Sequence, residues 1–366
     1  MPAWSQLSST LLIGAATILS AALTWASIRY AYRRQMIDHP GQRRSHDVPT
    51  PRGGGIGIVL AVIAGLVVIT TAGANGQGYQ ASYLLLGSIT LVALVGWIDD
   101  HRGLDARWRI IAHGAAAVML GAPALSLIFG EGSANPATPW LVAAWLVCVV
   151  ALVWSINLHN FMDGIDGLLA MQALFVFCVL AWICHRAGRI DVARPIGLFA
   201  AATLGFLPFN FPRARNFMGD VGSGVLGLLV AVAVFWQVSA VPSAFWVGFI
   251  ACSAFVVDST ATLLSRMSGG RRWYSAHREH LYQWLVRCGM SHVQVVGLYM
   301  AWNLVVVLPM IYWSLRTATV PEGNPAAMPV PTAGSGALLA VYALGAVTWV
   351  CCKRLCLRVC RSHRSR

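Results

Sequence analysis

Long apolar runs separated by short polar segments set the pattern of this chain. A crossing helix needs about 20 apolar residues to span about 30 Å of hydrocarbon. Eleven runs approach that length: 9–29, 54–73, 82–98, 109–129, 140–157, 167–187, 194–210, 222–240, 244–265, 292–314 and 335–351. The ends of 82–98 and 194–210 are the least sharply marked. Polar and apolar residues do not alternate as they would in barrel strands, so helices are predicted, each satisfying its own backbone in lipid. The expectation is an all-α integral membrane protein of about eleven transmembrane helices, with one polytopic domain over 1–351 and a basic tail over 352–366.

Composition agrees. Of 366 residues, 57% are hydrophobic and 11% charged, against about 25% charged in soluble domains. The 35 glycines and 15 tryptophans suit close helix packing and interfacial anchoring. The net charge of +13 forms no long basic stripe, which argues against nucleic acid as a partner. If the eleven runs all cross, alternate loops carry 22 of the 26 Lys and Arg residues, leaving Arg186, Arg189, Arg194 and Arg316 on the other side. The positive-inside rule makes the first set cytoplasmic. The first run has no basic start and is followed by Arg29, Arg33 and Arg34, so it is expected to be an uncleaved helix with its N-terminus outside and the C-terminus cytoplasmic. Segment 315–335 is expected to be an external linker. Cys148, Cys178, Cys184 and Cys252 lie in apolar runs. Cys351, Cys352, Cys356 and Cys360 surround the last exit with no zinc-like spacing, and a reduced tail is the simpler expectation.

The carboxylates are few and segregated. Asp38, Asp47, Asp99, Asp100, Asp105, Asp163, Asp166, Asp220 and Glu279 fall in the predicted cytoplasmic segments, and Asp258 lies just inside a span; Glu131, Asp191 and Glu322 lie outside. Three clusters stand out. GWIDD ends the third span at Asp99–Asp100, a costly place for two adjacent carboxylates at the negative end of a helix dipole. NLHNFMDGIDGL, Asn157 to Leu168, holds Asp163, Asp166, Asn157 and Asn160 without Lys or Arg, and lacks the alternate ligands and distal glutamate of an EF-hand. NFPRARNFMGDVGSG, Asn210 to Gly224, places Asp220 before a Gly/Ser-rich helix start, expected to favour phosphate, with Arg213 and Arg215 nearby.

Several carboxylates at one site need a cation between them. All-oxygen ligation selects Mg²⁺, with Mn²⁺ as an alternative, over zinc. Because Mg²⁺ takes one or two carboxylates plus substrate phosphates, some of these aspartates must instead orient substrate. RRWYSAHREHLYQ, Arg271 to Gln283, supplies a positive counterpart through His277, Arg278 and His280; positive-inside charge beside interfacial aromatics explains it equally well. The first loop, His39 to Gly55, is also basic, and its three glycines read most simply as a tight start to the next helix.

At these residues the chain closely resembles the polyprenyl-phosphate N-acetylhexosamine-1-phosphate transferases, glycosyltransferase family 4. The likeness runs from VPTPRGGG, which contains Arg52, through WIDD at Trp97–Asp100, NxxNxxDGxDGL at Asn157–Leu168, FMGDxGS at Phe217–Ser223, Asp258 with Arg266, and His277-x-x-His280. The resemblance implies ten or eleven helices around a cytoplasm-facing cleft in a bacterial inner membrane. It implies Asp220 as the main Mg²⁺ ligand, with Asp99 and Asp100 beside the phosphates and Asp100 a further candidate ligand. Asp163 and Asp166 join the catalytic set with His277 and His280. Phe217 would stack on uracil, and Asn157, Asn160, Arg52 and Arg278 would contact substrate. The implied reaction moves a sugar 1-phosphate from a UDP-N-acetylhexosamine, or a 6-deoxy relative, to undecaprenyl phosphate with release of UMP. Direct displacement and a covalent aspartyl route both stay open. HREH replaces the three consecutive histidines of the peptidoglycan branch, so the O-antigen initiating branch of lipopolysaccharide synthesis is the expected relative. Membrane lipids are the remaining partners, with a homodimer left open. A secondary transporter of a phosphorylated or anionic substrate is the rival, although only Asp258 and His113 lie within predicted spans. A non-catalytic assembly subunit would leave the three aspartate-rich loops unexplained.

Overall fold

The computed structural model describes residues 3–39, 48–72, 79–129, 139–271, 277–317 and 334–364. Asp47, Glu131 and Glu322, most of the 315–335 linker, and residues 272–276 of the last basic segment lie outside them. Helices make up most of the predicted spans among the described residues, and they are apolar on nearly all sides, as lipid-facing or bundle-buried helices must be. In order they are α1 (Ala3–Arg34), α2 (Ile56–Ala72), α3 (Tyr79–Arg102), α4 (Ala106–Phe129), α5 (Pro139–Met162), α6 (Leu168–Arg186), α7 (Ile190–Asn210) and α8 (Asp220–Ala240). They continue as α9 (Val247–Ala251), α10 (Ser253–Ser268), α11 (Leu281–Arg287), α12 (His292–Trp302), α13 (Leu308–Thr317) and α14 (Ser335–Arg364). Two-residue strands, β1 (Ile37–Asp38) and β2 (Thr50–Pro51), pair antiparallel between α1 and α2.

Among the described residues, eight helices are long and apolar enough to cross a membrane, counting α12–α13 as one, and a bent pair makes nine. Two of the eleven predicted spans fall outside this set. The run at 54–73 gives the shorter α2, and the run at 109–129 gives α4, which carries Arg107, Arg109 and His113 near its start and Pro123 within. The predicted span 244–265 is the bent pair itself, turning by 56° between Pro242–Ala251 and Ser253–Ser268. The tail expected to begin at 352 instead continues α14 to Arg364.

The centre of the bundle is α8, with 89% of its apolar window buried against 22% for α1 and α14. It packs on α3, α4, α5 and α6. Association in lipid relies on close backbone approach and on hydroxyls bonding across helices. Ser155 on α5 donates to the Gly227 carbonyl on α8 at 2.6 Å, Ser20 on α1 to the Ala202 carbonyl on α7 at 2.6 Å, and Ser88 on α3 to the Ala116 carbonyl on α4 at 3.2 Å. This packing fixes the start of α8 against the end of α3, where Asp99, Asp100 and Asp220 meet Arg52 and Arg109.

Candidate functional site

The last turn of α3 meets the first turn of α8. Asp100 is buried, and its two carboxylate oxygens accept the backbone N–H groups of Asp220, at 3.1 Å, and Val221, at 3.2 Å. An acidic side chain on these otherwise orphaned amides is a favourable cap. Gly219 makes the approach possible: its φ is +74°, and a Cβ there would stand 2.5 Å from the Asp100 carboxylate. The helix start predicted to receive phosphate therefore already holds a carboxylate from within the protein. Asp100, predicted as a cation ligand, caps α8 in this structure.

Arg52, predicted to touch substrate, reaches the other side of the same junction. Its Nε donates to the Asp100 carbonyl at 3.1 Å, and Nη2 bonds the Asp100 and Asp99 carbonyls. A cation at a helix C-terminus completes its last carbonyls and offsets the dipole. The neighbouring glycines do more than start a helix. Gly54 and Gly55 donate backbone N–H groups to the carbonyls of Phe217 and Met218, at 2.9 and 2.8 Å, and Phe217 N–H donates to the Pro51 carbonyl at 2.8 Å. A Cβ on Gly222 would stand 2.6 Å from Gly55 Cα. This ladder binds PRGGG to FMGD and sets the half-exposed Phe217 beside Arg52.

Asp99 and Asp220 face each other across Arg109. Arg109 Nη1 lies 2.9 Å from Asp99 Oδ2 and 2.8 Å from Asp220 Oδ2. Sequence reasoning missed Arg109, because in DARWRI it reads as one more positive-inside charge. Its signal was position: an arginine in the first turn of an apolar helix beside an acidic loop.

The DGIDG loop enters between α5 and α6. The Asp163 N–H donates to the Asn160 carbonyl at 3.3 Å, no side-chain partner adds to the causes acting on its carboxyl, and the carboxyl pKa is pushed up to about 8. Burial is the main cause, reinforced by the charges of Asp220, Asp100 and Asp166. Asp166 turns elsewhere: Oδ2 accepts the Ala214 N–H at 3.0 Å and lies 3.3 Å from His292 Nδ1. Asn160 donates to Ser223 Oγ at 3.0 Å, joining α5 to α8, while Asn157 donates back to the Val153 carbonyl within α5 at 2.7 Å. The loop thus brings one carboxylate toward Asp220 and spends the other on the 211–216 turn.

The His277–His280 segment closes over this loop. The two imidazole centroids are 5.0 Å apart; His280 also stacks on Tyr282 at 5.9 Å and on Phe161 at 6.2 Å. Tyr282 donates to the Phe161 carbonyl at 2.9 Å, two residues before Asp163. Burial lowers the pKa of His277 to about 4, with His280 and Arg266 acting in the same direction, and lowers that of His280 as well. Burial thus favours the neutral form of both rings. Fixed positive charge in HREH comes from the partly exposed Arg278, while Glu279 is held by Arg266 at 2.7 Å and Arg271 at 2.9 Å.

Asp258 anchors the segment. It accepts Leu281 N–H at 2.7 Å, Tyr282 N–H at 3.4 Å, Tyr299 O–H at 2.7 Å, Trp349 Nε1–H at 3.0 Å and Thr262 O–H at 3.3 Å. Arg266 pairs with Glu279 instead, while a hydroxyl of the same helix, Thr262, is among the Asp258 donors. The one ionisable side chain that the transporter reading could set in this span is thus a saturated structural hub. A cavity of about 300 Å³, lined by Leu66, Leu85, Leu120, Phe235 and Arg189 among others, touches none of these groups.

Among the described residues, no three His, Cys, Asp or Glu side chains form a closed cation cage. The donor set still suits a hard divalent ion. Asp99 and Asp220 offer carboxylate oxygens that share one guanidinium nitrogen, and the charges of Asp220 and Asp163 act on each other; oxygen donors of this kind would fit Mg²⁺ together with phosphate oxygens.

The model of glycosyl transferase family 4 matches residues 82–237, which span the WIDD, DGIDG and FMGD clusters. The decaprenyl-phosphate N-acetylglucosaminephosphotransferase of Mycobacterium leprae is 30% identical over 301 residues, covering 74% of this chain and 75% of that protein. The probable undecaprenyl-phosphate N-acetylglucosaminyl 1-phosphate transferase of Bacillus subtilis is 25% identical over 269 residues, covering 72% and 73%. The phospho-N-acetylmuramoyl-pentapeptide-transferase of Geobacillus kaustophilus is 31% identical over 281 residues, covering 72% and 83%. With its carboxylate clusters at the helix junctions of a polytopic bundle, the chain belongs to glycosyl transferase family 4, as a member of the polyprenyl-phosphate N-acetylhexosamine-1-phosphate transferases.

Proposed function

We propose that the protein transfers an N-acetylhexosamine 1-phosphate from a UDP-sugar to undecaprenyl phosphate at the cytoplasmic face of a bacterial inner membrane, releasing UMP. The observation that carries this reading is the pairing of Asp99 and Asp220 through Arg109, next to Asp163. Asp99 and Asp220, with the Asp163 carboxyl held largely protonated by its burial, form a cluster whose ionised form a cation would stabilise. Asp220 and Asp163 would hold Mg²⁺, or Mn²⁺, which supplies neutralisation of the phosphate charges when bound.

Asp99 and Arg109 hold the acceptor phosphate in line. With a second pKa of about 6, that phosphate is mostly dianionic at pH 7 and needs no general base. Its oxygen forms a bond to the β-phosphorus, the bridging P–O bond to UMP breaks, and the electron pair leaves with UMP. His277 and His280 donate neutral N–H groups to the pyrophosphate while Arg278 contributes charge. Phe217 stacks on uracil at the mouth formed with Arg52. Asp100, Asp166, Asn157 and Asn160 keep these elements in place through the bonds described above. Positioning and charge stabilisation are the main sources of rate in phosphoryl transfer.

The substrate class favoured is a simple UDP-N-acetylhexosamine. Two of the relatives are named for N-acetylglucosamine, and HREH has no run of three histidines, its Glu279 being paired with Arg266 and Arg271. The lipid product would start a surface glycan, O-antigen included. The test is exchange of labelled UMP into UDP-N-acetylhexosamines by purified protein with Mg²⁺ and undecaprenyl phosphate. Exchange that needs both additions supports the reading. Failure of every UDP-N-acetylhexosamine overturns it.

A further inference from the structure

Four cysteines gather where α14 passes α11, at the end of the bundle that carries the His277–His280 segment. Cys352, Cys356 and Cys360 recur every fourth residue on α14, and thus share one helix face. Cys288, immediately after α11, meets that face from the side. Its Sγ lies 3.6 Å from Cys360 Sγ and 3.6 Å from the Cys356 carbonyl oxygen. Cys288 and Cys360 are 72 residues apart, so the tertiary fold alone brings them together. Both are partly exposed, and no disulfide joins them. No three ligands here form a metal site among the described residues.

We propose that Cys288 and Cys360 are a reversible dithiol–disulfide pair that latches α14 to α11. A disulfide bond is about 2.05 Å long, so the sulfurs need approach by only roughly 1.5 Å from their 3.6 Å separation. The oxidant is a low-molecular-weight disulfide. One cysteine thiolate attacks it, forming a mixed disulfide and releasing one small thiol. The second cysteine then attacks the protein-bound sulfur, forming the Cys288–Cys360 bond and releasing the other small thiol. Two protein thiols are oxidised and one small disulfide is reduced to two thiols. Charge asymmetry predicts this end to be cytoplasmic, where disulfides in mesophiles are typically transient and redox-sensing rather than structural. The bond would add a covalent tie to elements already joined by Trp349 and Asp258, and Asp258 holds the start of α11.

The experiment treats the full-length protein in lipid nanodiscs with oxidised glutathione, blocks remaining thiols, and maps peptides without reduction. A linked Cys288–Cys360 peptide is expected, reversed by dithiothreitol and absent in Cys288→Ser and Cys360→Ser. Cys178→Ser should leave it intact. Because the fold raises the local thiol concentration, the link should form at least about tenfold faster in nanodiscs than in detergent-denatured protein. Hydrogen exchange should slow in residues 281–287 of the oxidised protein but not of Cys288→Ser. Mixed glutathione adducts without the linked peptide overturn the proposal. So does a link that forms equally fast in denatured chain, or equal reaction of Cys351 with Cys288.

Discussion

Arg109 Nη1 lies 2.8 Å from Asp220 Oδ2, and the same nitrogen lies 2.9 Å from Asp99. One guanidinium thus balances two carboxylates from different helices. Arg109→Met leaves those two carboxyl groups facing each other without their cation, so a bound divalent ion becomes more important to the fold. We expect turnover to fall at least about tenfold, the scale of losing one positioned charge in an active site. We also expect Mg²⁺ to raise the melting temperature of the variant more than that of the parent. Differential scanning fluorimetry across a Mg²⁺ titration measures this. An equal or smaller Mg²⁺ shift in the variant would separate Arg109 from the cation site.

Asp100 was predicted among the ligands and is found capping α8. Its substitution by Asn keeps shape but removes charge and one acceptor from the Asp220 and Val221 amides. Loss of a helix cap of this kind costs about 1 kcal/mol. Asp100→Asn should therefore lower the melting temperature while leaving the Mg²⁺ midpoint for UMP exchange within about twofold of the parent, as expected when no ligand to the ion is lost. A tenfold rise in that midpoint would return Asp100 to the cation.

Asp163 gives the site a pH dependence whose sign follows from its burial. Its folded pKa is about 8 against an ordinary value of 3.8. Between these values the folded protein binds more protons than the unfolded chain, so stability falls as pH rises from about 4 to about 8. A divalent cation offsets the cost by favouring the ionised form. Thermal unfolding without divalent ions should thus show a melting temperature declining across that window, and added Mg²⁺ should raise it more at pH 8 than at pH 5. Asp163→Asn should flatten both trends. If the parent and Asp163→Asn respond alike, another group governs the titration.

Much of this arrangement was legible because lipid makes apolar runs explicit and leaves the few carboxylates conspicuous. The order of helices and the grouping of Asp99, Asp163 and Asp220 follow from that contrast. The bend near Cys252 was not visible, because the sequence there stays apolar and has no proline or glycine at the break. Roles that depend on backbone partners were hidden too. Nothing in WIDD distinguishes Asp99, which meets Arg109 and the Leu104 amide, from Asp100, which meets two amides of α8 and lies near Arg52. Arg52 reads as a loop charge until it is seen against the last carbonyls of α3. The neutral state of His277 comes from burial that no local pattern reports.

Asp258 shows the same dependence on distant partners and gives the sharpest separation of binding from chemistry. Its five donors come from α10, α11, α12 and α14, with Trp349 91 residues away. Removing the carboxylate in Asp258→Ala strands buried donors, at a cost of roughly 1–3 kcal/mol for each one left unsatisfied, and this variant is expected to fold poorly. Tyr299→Phe is the gentler probe. It removes one donor at 2.7 Å, for a net loss of about 1 kcal/mol, and loosens the carboxylate that fixes Leu281 and Tyr282. Because His280 immediately precedes these residues and is not itself altered, the looser segment should bind nucleotide sugar less well. Steady-state kinetics should show KM for the UDP-sugar rising severalfold with kcat nearly unchanged. A fall in kcat at constant KM would place the hub's influence on the carboxylate cluster instead of on the pyrophosphate-binding segment.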